Sequence, residues 1–232
     1  MSITTDIERL GTVLGVWAHP DDEAYLSAGV MALAVDAGSR VVCVTATRGE
    51  LGGPAGVRER ELAESLTALG VREHHWLDYR DGACADVDPS VGVAAVAAVI
   101  DDVGPDTILT FGPDGMTGHA DHRAVSHWTT RAWRQSGGQA RLLYATQTPE
   151  YVERFTDAHD AFDVFEPGFP LTTPPEEMAL LLRLDGATLD RKLAALLAQK
   201  TQTEPLYVGM GPDRYRDWIR EECFVDATAA GA

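Results

Sequence analysis

Two consecutive stretches decide the fold of this chain: the apolar run Thr12-Val-Leu-Gly-Val-Trp17 and the polar turn Ala18-His-Pro-Asp-Asp-Glu23 that follows it. A short apolar run bounded by turn residues is typical of a strand buried on both faces. Similar runs follow at 41–46 (VVCVTA), 74–78 (HHWLD) and 107–111 (TILTF). Between them, the sequence predicts helices at 26–37, 57–69 and 91–103. This alternation favours an α/β, three-layer Rossmann-like fold with a mainly parallel sheet and helices on both faces.

Clusters of polar residues follow three of these predicted strands, at 18–23, 47–50 and 112–122. In parallel sheets of this kind, ligands bind at the carboxyl ends of the strands. The three clusters are therefore expected to meet at one edge of the sheet and to form a single functional site.

Length and charge limit the classes of function. A chain of 232 residues is predicted to form a single domain spanning 1–232. Its net charge of −17 would repel a phosphate backbone, so no nucleic-acid binding is expected, and it gives no reason to expect membrane anchoring. Because the first residues, MSITTDIERLGT, lack the apolar segment of a secretory signal, we expect a cytoplasmic location.

The turn at 18–23 places one imidazole and three carboxylates within five residues. Like charges this close repel each other unless a cation or solvent separates them. Zinc takes imidazole and carboxylate ligands, and a catalytic site keeps one position open for water. His19 and Asp22 could both face one ion, with Asp21 beside the bound water. The alternative is a solvated acidic turn or a helix N-cap cluster, because Asp and Glu favour helix starts.

The second cluster is Gly118-His-Ala-Asp-His122, which is expected near the start of a helix. Two histidines around an aspartate can supply one metal ligand and one acid–base group, with a carboxylate to orient a ring. A single histidine is more often structural. Because both clusters follow predicted strands, a site with three ligands becomes feasible.

These two clusters, AHPDDE and GHADH, resemble the signature motifs of the PIG-L/LmbE-like de-N-acetylases, zinc enzymes that remove acetyl or related acyl groups from amino-sugar amides. Further segments are similar to the family's in the same order: TRGELG (47–52), RERE (58–61), LGV (69–71), DYRDG (78–82) and FGPDG (111–115). The likeness covers about residues 12–127.

The resemblance implies a Zn2+ cofactor with three protein ligands, His19, Asp22 and His122. It implies Asp21 as general base, and His119, with Asp121 behind it, as the group that stabilises the tetrahedral intermediate or protonates the leaving amine. Residues that resemble substrate contacts of the mycothiol-pathway branch are Glu50, Arg58 and Asp81. For Arg58, an ion pair with Glu61 one helical turn away is an equally good explanation.

The sequence also departs from the family's pattern. Thr117 stands where the mycothiol-pathway branch has a tyrosine, and Gln199 and Thr201 replace a histidine and a serine of a C-terminal motif. The expected partner is a small-molecule N-acylated amino sugar, but the exact substrate stays open. The alternatives are an amidase acting on a thiol conjugate or another non-sugar amide, and a non-catalytic metal-binding protein.

The C-terminal third is less regular. The stretch 147–176 holds five prolines and is predicted to consist mainly of specificity loops, with one strand at Phe162–Phe165. Helices are expected at Leu189–Gln202 and Tyr215–Glu222, and a frayed tail at Ala227–Ala232. A homo-oligomer stays open: two tryptophans on the helix after the second motif could mark an interface, although core packing explains them better (Trp128 and Trp133).

Overall fold

The computed structural model describes residues 7–228, which form a seven-stranded sheet with helices. Its strands are β1 (Val13–Trp17), β2 (Val41–Thr47), β3 (Glu73–Tyr79), β4 (Thr107–Phe111), β5 (Arg141–Thr146), β6 (Leu180–Arg183) and β7 (Glu221–Asp226). Their order in the sheet is β3-β2-β1-β4-β5-β7-β6. The first five are parallel, and β7 runs antiparallel to both β5 and β6. The predicted α/β fold with a mainly parallel sheet is confirmed.

Helices connect the strands and cover the sheet. They are α1 (Asp22–Asp36), α2 (Ala55–Leu69), α3 (Pro89–Val103), α4 (Ala120–Gln135), α5 (Pro149–Arg154), α6 (Thr156–Ala161), α7 (Gly186–Ala198), α8 (Lys200–Met210) and α9 (Pro212–Trp218). Helices α3 and α4 pack against each other, and α7 packs against both α1 and α2. Every residue of β1, β2 and β4 is buried, as expected for strands covered on both faces. No helix within residues 7–228 is long and apolar enough to cross a bilayer.

The predicted strand at Phe162–Phe165 is wrong, because these residues form a loop after α6. Both edges of β5 are already occupied, by β4 and β7, so the loop has no free edge of β5 beside it. Asp163 has a φ of 49°, which also breaks an extended path. The stretch 147–176 consists mainly of loops, as predicted, but it also contains the short helices α5 and α6.

Other differences lie near the C-terminus. The helix expected at Tyr215–Glu222 ends at Trp218, and Glu221 already begins β7. The helix expected at Leu189–Gln202 is divided into α7 and α8 at Gln199. Ala227 is not frayed: it is fully buried, and its N–H donates to the Leu142 carbonyl at 2.9 Å. Residues 229–232 of the expected tail lie outside the described residues. Core packing does explain the two tryptophans of α4, since both are buried (Trp128 and Trp133).

Candidate active site

The polar clusters after β1, β2 and β4 meet at one edge of the sheet, as the sequence predicts. His19 follows β1, Gly49 follows β2, and His119 and His122 follow β4. The loop after β3 adds Asp81, which lies beside His19. These residues line one cavity of about 490 Å3. Parallel strands bring their carboxyl ends together, so residues more than 100 positions apart in sequence become neighbours.

Three candidate ligand groups, two imidazole rings and one carboxylate, converge between the two motifs. Nδ1 of His19 lies 3.2 Å from Nε2 of His122 and 3.6 Å from Oδ2 of Asp22. Nε2 of His122 lies 3.3 Å from Oδ1 of Asp22. Ligands that bind zinc tetrahedrally at about 2.0–2.1 Å are about 3.3 Å from one another, which matches these separations. Two ring nitrogens and a carboxylate are also donors that zinc prefers, so the residues present fit this ion.

His119 is a further neighbour of this group. Ring nitrogens of His19, His119 and His122 all lie within 4.8 Å of one another. His119 is the N-cap of α4, and its Nδ1 accepts the backbone N–H of Asp121 at 3.2 Å. The proton of a neutral His119 ring is therefore on Nε2, which is free to act as a donor.

The partners of the two ligand rings fix which nitrogen carries the proton. Nδ1 of His122 lies 3.0 Å from the Gly115 carbonyl and 3.0 Å from Oγ1 of Thr117. Because a carbonyl can only accept a hydrogen bond, the ring proton is on Nδ1. The lone pair of Nε2 is therefore available to an ion. Nε2 of His19 lies 3.1 Å from Asp81 and 3.2 Å from Asp121, which leaves Nδ1 as its lone-pair donor. Carbonyls and carboxylates behind ligand histidines are the usual supports of a metal site.

Asp121 supports His19 rather than His119. Its fully buried carboxylate accepts the backbone N–H groups of Gly82 at 2.8 Å and Cys84 at 3.0 Å, besides its contact with His19. The structure thus differs from the expectation of Asp121 behind His119. The reason is geometric: the Nδ1 of His119 is already used by the backbone N–H at the start of α4.

The surroundings shift the pKa values of the two ligand rings in opposite directions. Burial lowers the pKa of His122 to about 4, so its ring is neutral near pH 7. Burial also acts to lower the pKa of His19, but the hydrogen bonds to Asp121 and Asp81 outweigh it and raise the pKa to about 10. Burial opposes ionisation of Asp81 as well, yet its hydrogen bond with His19 lowers the pKa of that carboxyl to about 2.

Asp21 lies at the start of α1 in a strained backbone conformation, with a φ of 112° that non-glycine residues rarely adopt. Its N–H donates to Oε2 of Glu23 at 2.9 Å, and Glu23 is fixed in turn by Ser65 and Gln199 at 2.9 Å each. Burial and the charge of Asp22 raise the pKa of Asp21 well above its usual value. A carboxylate with a raised pKa is better suited to accept a proton near neutral pH.

Arg58 is the cation next to this carboxylate. Its Nη2 lies 3.4 Å from Oδ2 of Asp21 and donates to the Pro20 carbonyl, and its side chain is almost fully buried. Glu61, the alternative partner from the sequence, instead accepts the N–H and hydroxyl of Thr201 at 2.9 and 2.5 Å. Arg58 therefore faces the cavity and belongs to the surroundings of Asp21.

The other two expected substrate contacts occupy different positions. Asp81 lines the cavity, but its oxygens are used by His19 and by the Leu51 N–H at 2.9 Å. Glu50 is exposed and is absent from the cavity lining, and its carboxylate accepts the Asp81 N–H at 3.0 Å. Glu50 thus contacts the loop that holds Asp81.

The cavity has two chemically different sides. On the side of β2 and β3, the lining is mostly polar or backbone: Gly49, Gly52, Arg58, Asp81 and Gln202. On the side of β4, β5 and β7, the lining is largely apolar or aromatic (Met116, Tyr151, Phe162, Val164, Phe165, Trp218 and Ile219), with polar or charged residues among them (Gln147, Asp163 and Glu221). No residue of this second side belongs to a recognisable sequence motif, although several lie in the predicted specificity region 147–176. Strands β5 and β7 were not predicted from the sequence. Their positions would have indicated where Gln147 and Trp218 lie, because Gln147 follows β5 and Trp218 precedes β7.

Comparisons with known proteins agree with this geometry. The sequence matches the family PIG-L, described as GlcNAc-PI de-N-acetylase, over residues 14–133. A 1D-myo-inositol 2-acetamido-2-deoxy-alpha-D-glucopyranoside deacetylase from Saccharomonospora viridis is 32% identical to the chain and aligns over 87% of each protein. The deacetylase of the same name from Kineococcus radiotolerans is 31% identical, over 84% of this chain and 71% of that protein.

A solved structure shares the fold. The conserved protein TT1542 from Thermus thermophilus superposes with a TM-score of 0.66, over 92% of this chain and 93% of that chain, at 22% sequence identity. The family match includes both histidine motifs, and the two relatives align over most of the chain. The resemblance seen in the motifs is therefore confirmed: the chain is an amide-hydrolysing deacetylase and belongs to the PIG-L family of de-N-acetylases.

Proposed function

We propose that this enzyme removes the acetyl group from an N-acetylated amino sugar, with a zinc ion held by His19, Asp22 and His122. The observation that carries the proposal is the convergence of two ring nitrogens and the Asp22 carboxylate within 3.2–3.6 Å, next to a strained aspartate and on the wall of a cavity. When bound, zinc acts as a Lewis acid that lowers the pKa of water to about 7 and polarises an amide carbonyl.

Asp21 is the proposed general base. Its raised pKa, its position one residue from Asp22 and its exposure to the cavity suit it to accept a proton from the attacking water. Arg58 limits the rise in pKa, because its positive charge favours the ionised carboxylate. The network through Glu23 keeps the backbone of Asp21 in place.

His119 is the proposed donor to the reacting amide. Because Nδ1 accepts a backbone N–H, the Nε2–H of this ring is available for the developing negative charge on the carbonyl oxygen. The same ring can give a proton to the leaving amine only when both ring nitrogens are protonated, and Nδ1 then releases the Asp121 N–H. Asp121 contributes indirectly, since its carboxylate orients His19.

An N-acetylglucosaminyl compound is the substrate class that best combines these features. The two named relatives are deacetylases of an inositol glycoside of this sugar. Arg58 and Asp81 offer charged groups on the polar side of the cavity, where we place the sugar hydroxyls. Glu50 acts through the loop that holds Asp81. Thr117, which stands in place of the branch's tyrosine, contacts His122, so it cannot polarise the substrate carbonyl in the same way.

The test is a panel of N-acetylated amino sugars, including N-acetylglucosamine and its inositol glycoside, incubated with zinc-loaded and chelator-treated enzyme. We expect equal release of acetate and free amine that depends on the metal. Release of a larger acid from thiol conjugates, without acetate release from any sugar, would favour the amidase alternative. Bound metal without turnover of any amide would favour a binding protein. The expected cytoplasmic location, the single domain and a homo-oligomer stay predictions from the sequence.

A further inference from the structure

Gln147 stands on the apolar side of the cavity and takes no part in the proposed chemistry. It follows β5 directly, and its side chain lines the cavity although the residue is only 6% exposed. Strand β5 is two strands away from β1, which carries His19. Neighbouring strands are about 4.8 Å apart, so the Gln147 backbone stands about 10 Å from the end of β1. Strand β4, which leads to His119 and His122, lies between β1 and β5, so Gln147 lines the cavity on the side of these histidines opposite to β1.

The side-chain amide of Gln147 has no hydrogen-bond partner among the described residues, 7–228. Its Oε1 is buried without a partner, and its side chain makes no hydrogen bond within residues 7–228. The backbone of Gln147, in contrast, is held by hydrogen bonds. Its carbonyl accepts the Thr173 N–H at 2.9 Å, and the residue forms an isolated β-bridge with Thr172. Buried polar groups are nearly always paired in native proteins, so a fixed and unpaired amide on a cavity wall requires an explanation.

Two other glutamines near the site, Gln199 and Gln202, have structural roles and can be compared with Gln147. The Nε2 of Gln199 donates to Glu23 at 2.9 Å, and that of Gln202 donates to the Gly52 carbonyl at 2.9 Å. Both link elements of the protein to each other. The Oε1 of Gln199 is also buried without a partner among residues 7–228, so what sets Gln147 apart is that its Nε2 makes no bond to the described protein either.

The side chain of Gln147 links no elements within residues 7–228, and the cavity around it is lined by aromatic side chains such as Tyr151 and Trp218 together with the carboxylates of Asp163 and Glu221. Its free amide is therefore directed to a ligand rather than to the fold.

We propose that Gln147 is a specificity-determining residue that hydrogen-bonds a hydroxyl group of the substrate. An amide offers an acceptor, Oε1, and a donor, Nε2, on one plane, and a hydroxyl can donate to the first and accept from the second. An anionic substrate group would be poorly matched, because the carboxylates of Asp163 and Glu221 line the same cavity and would repel it. This inference rests on the proposed function, since it assumes that a polyhydroxylated amide occupies the cavity.

The experiment compares the wild type with Gln147→Met, which keeps the approximate shape of the side chain and removes the amide. Values of kcat/KM are measured for an N-acetylated sugar that the wild type hydrolyses and for its single-deoxy analogues. The wild type is expected to prefer the full sugar over one analogue by about 10- to 100-fold, because that analogue leaves the amide unpaired. Gln147→Met is expected to lose this preference while it still hydrolyses the deoxy analogue.

A readout without substrate separates this role from a structural one. Removing a buried amide that has no partner should leave the melting temperature of Gln147→Met equal to or above that of the wild type. Gln135→Leu, at the exposed end of α4, is the matched control and should change neither quantity. If Gln147→Met folds poorly, Gln147→Asn, which withdraws the amide by one methylene group, is expected to weaken the same preference.

The two proposals fail in different ways. If the wild type hydrolyses N-acetylated sugars but Gln147→Met keeps the wild-type preference among the analogues, the role of Gln147 is refuted and the deacetylase proposal stands. A lower melting temperature of Gln147→Met together with an unchanged preference would assign Gln147 to the fold. If the wild type hydrolyses no N-acetylated sugar, the proposed function and this inference both fail.

Discussion

Two clusters of buried charged residues, one around Lys192 and one around His19, differ in how well other groups of the protein balance their charges. Lys192 and Glu222 are both fully buried and form an ion pair at 2.8 Å. Glu222 also accepts the N–H groups of Gly29 and Val30 at 2.7 and 2.9 Å, and Lys192 donates to the Tyr25 carbonyl at 2.7 Å. One positive charge therefore meets one negative charge, with further hydrogen bonds around both.

The cluster around His19 contains more carboxylates than positive charges. It also contains two ring nitrogens whose lone pairs face each other. Three carboxylates lie within 3.6 Å of His19, and the Nε2 lone pair of His122 faces its Nδ1. Such an arrangement is unfavourable unless a cation enters it or His19 binds a second proton. The comparison shows that buried charge alone does not identify a functional site. The useful signal is a buried cluster whose charges and lone pairs the protein leaves unbalanced.

The largest expected effect concerns Asp21. Asp21→Asn keeps the shape of the side chain but removes the base, so turnover should fall by about 10²- to 10⁴-fold. Metal content should stay at the wild-type level, because Asp21 is not one of the three ligands. Acetate release and elemental analysis of the same sample measure both quantities. The control is Asp78→Asn, an exposed neighbour that pairs with Arg48, and near-normal activity of Asp21→Asn would contradict the role of Asp21 as base.

The second prediction concerns the buried ion pair of Lys192 and Glu222. Lys192→Met leaves Glu222 buried without its counter-charge, so the free energy of unfolding should fall by about 3–5 kcal/mol. Urea unfolding monitored by tryptophan fluorescence measures this loss. The double variant Lys192→Met with Glu222→Gln should recover part of it, because no unpaired charge remains. A single variant as stable as the wild type would show that the pair contributes little.

The third prediction concerns the support behind His19. Asp81→Asn removes one of the two carboxylates on Nε2 of His19, so zinc affinity should fall by about 10- to 100-fold. Titration of zinc into metal-free protein measures the affinity, with Glu50→Gln as the control. If Asp81 acts only on the substrate, the variant will instead show a raised KM with wild-type zinc affinity.

The smallest effect is expected at the surface. Arg40 and Glu73 form an ion pair at 2.6 Å, but both side chains are about two-fifths exposed. Pairs of this kind contribute little to stability, because solvent and salt screen them. Glu73→Gln should therefore leave the midpoint of urea unfolding within experimental error of the wild type. A shift as large as that of Lys192→Met would mean that burial does not separate the two pairs.

Local patterns predicted the first four strands of the sheet and the centre of the site, but not the fifth parallel strand, β5. The buried runs of β1, β2 and β4 are uninterrupted, and the motifs at 18–23 and 118–122 follow β1 and β4 directly. Because parallel strands bring their carboxyl ends together, the sequence was sufficient to predict that His19 and His122 meet.

The antiparallel half depends on contacts that local sequence does not show. Strand β7 begins with two glutamates, and Glu222 is buried only because Lys192, 30 residues earlier, pairs with it. The segment Phe162–Phe165 has the composition of a strand, but it forms part of the cavity wall. Gln147 was missed for the same reason, since its role depends on where β5 lies in the sheet.

The central claim is that His19, Asp22 and His122 form a metal site in this protein. The most direct test is the melting temperature of metal-free wild type, Asp21→Asn and His122→Ala, each with and without zinc. At about 1,000 times the dissociation constant, binding stabilises by about 4 kcal/mol, so zinc should raise the melting temperature of the wild type by on the order of 10 °C. Asp21→Asn should show the same rise and His122→Ala none. A wild type that zinc does not stabilise, or a full rise in His122→Ala, would contradict the proposed site.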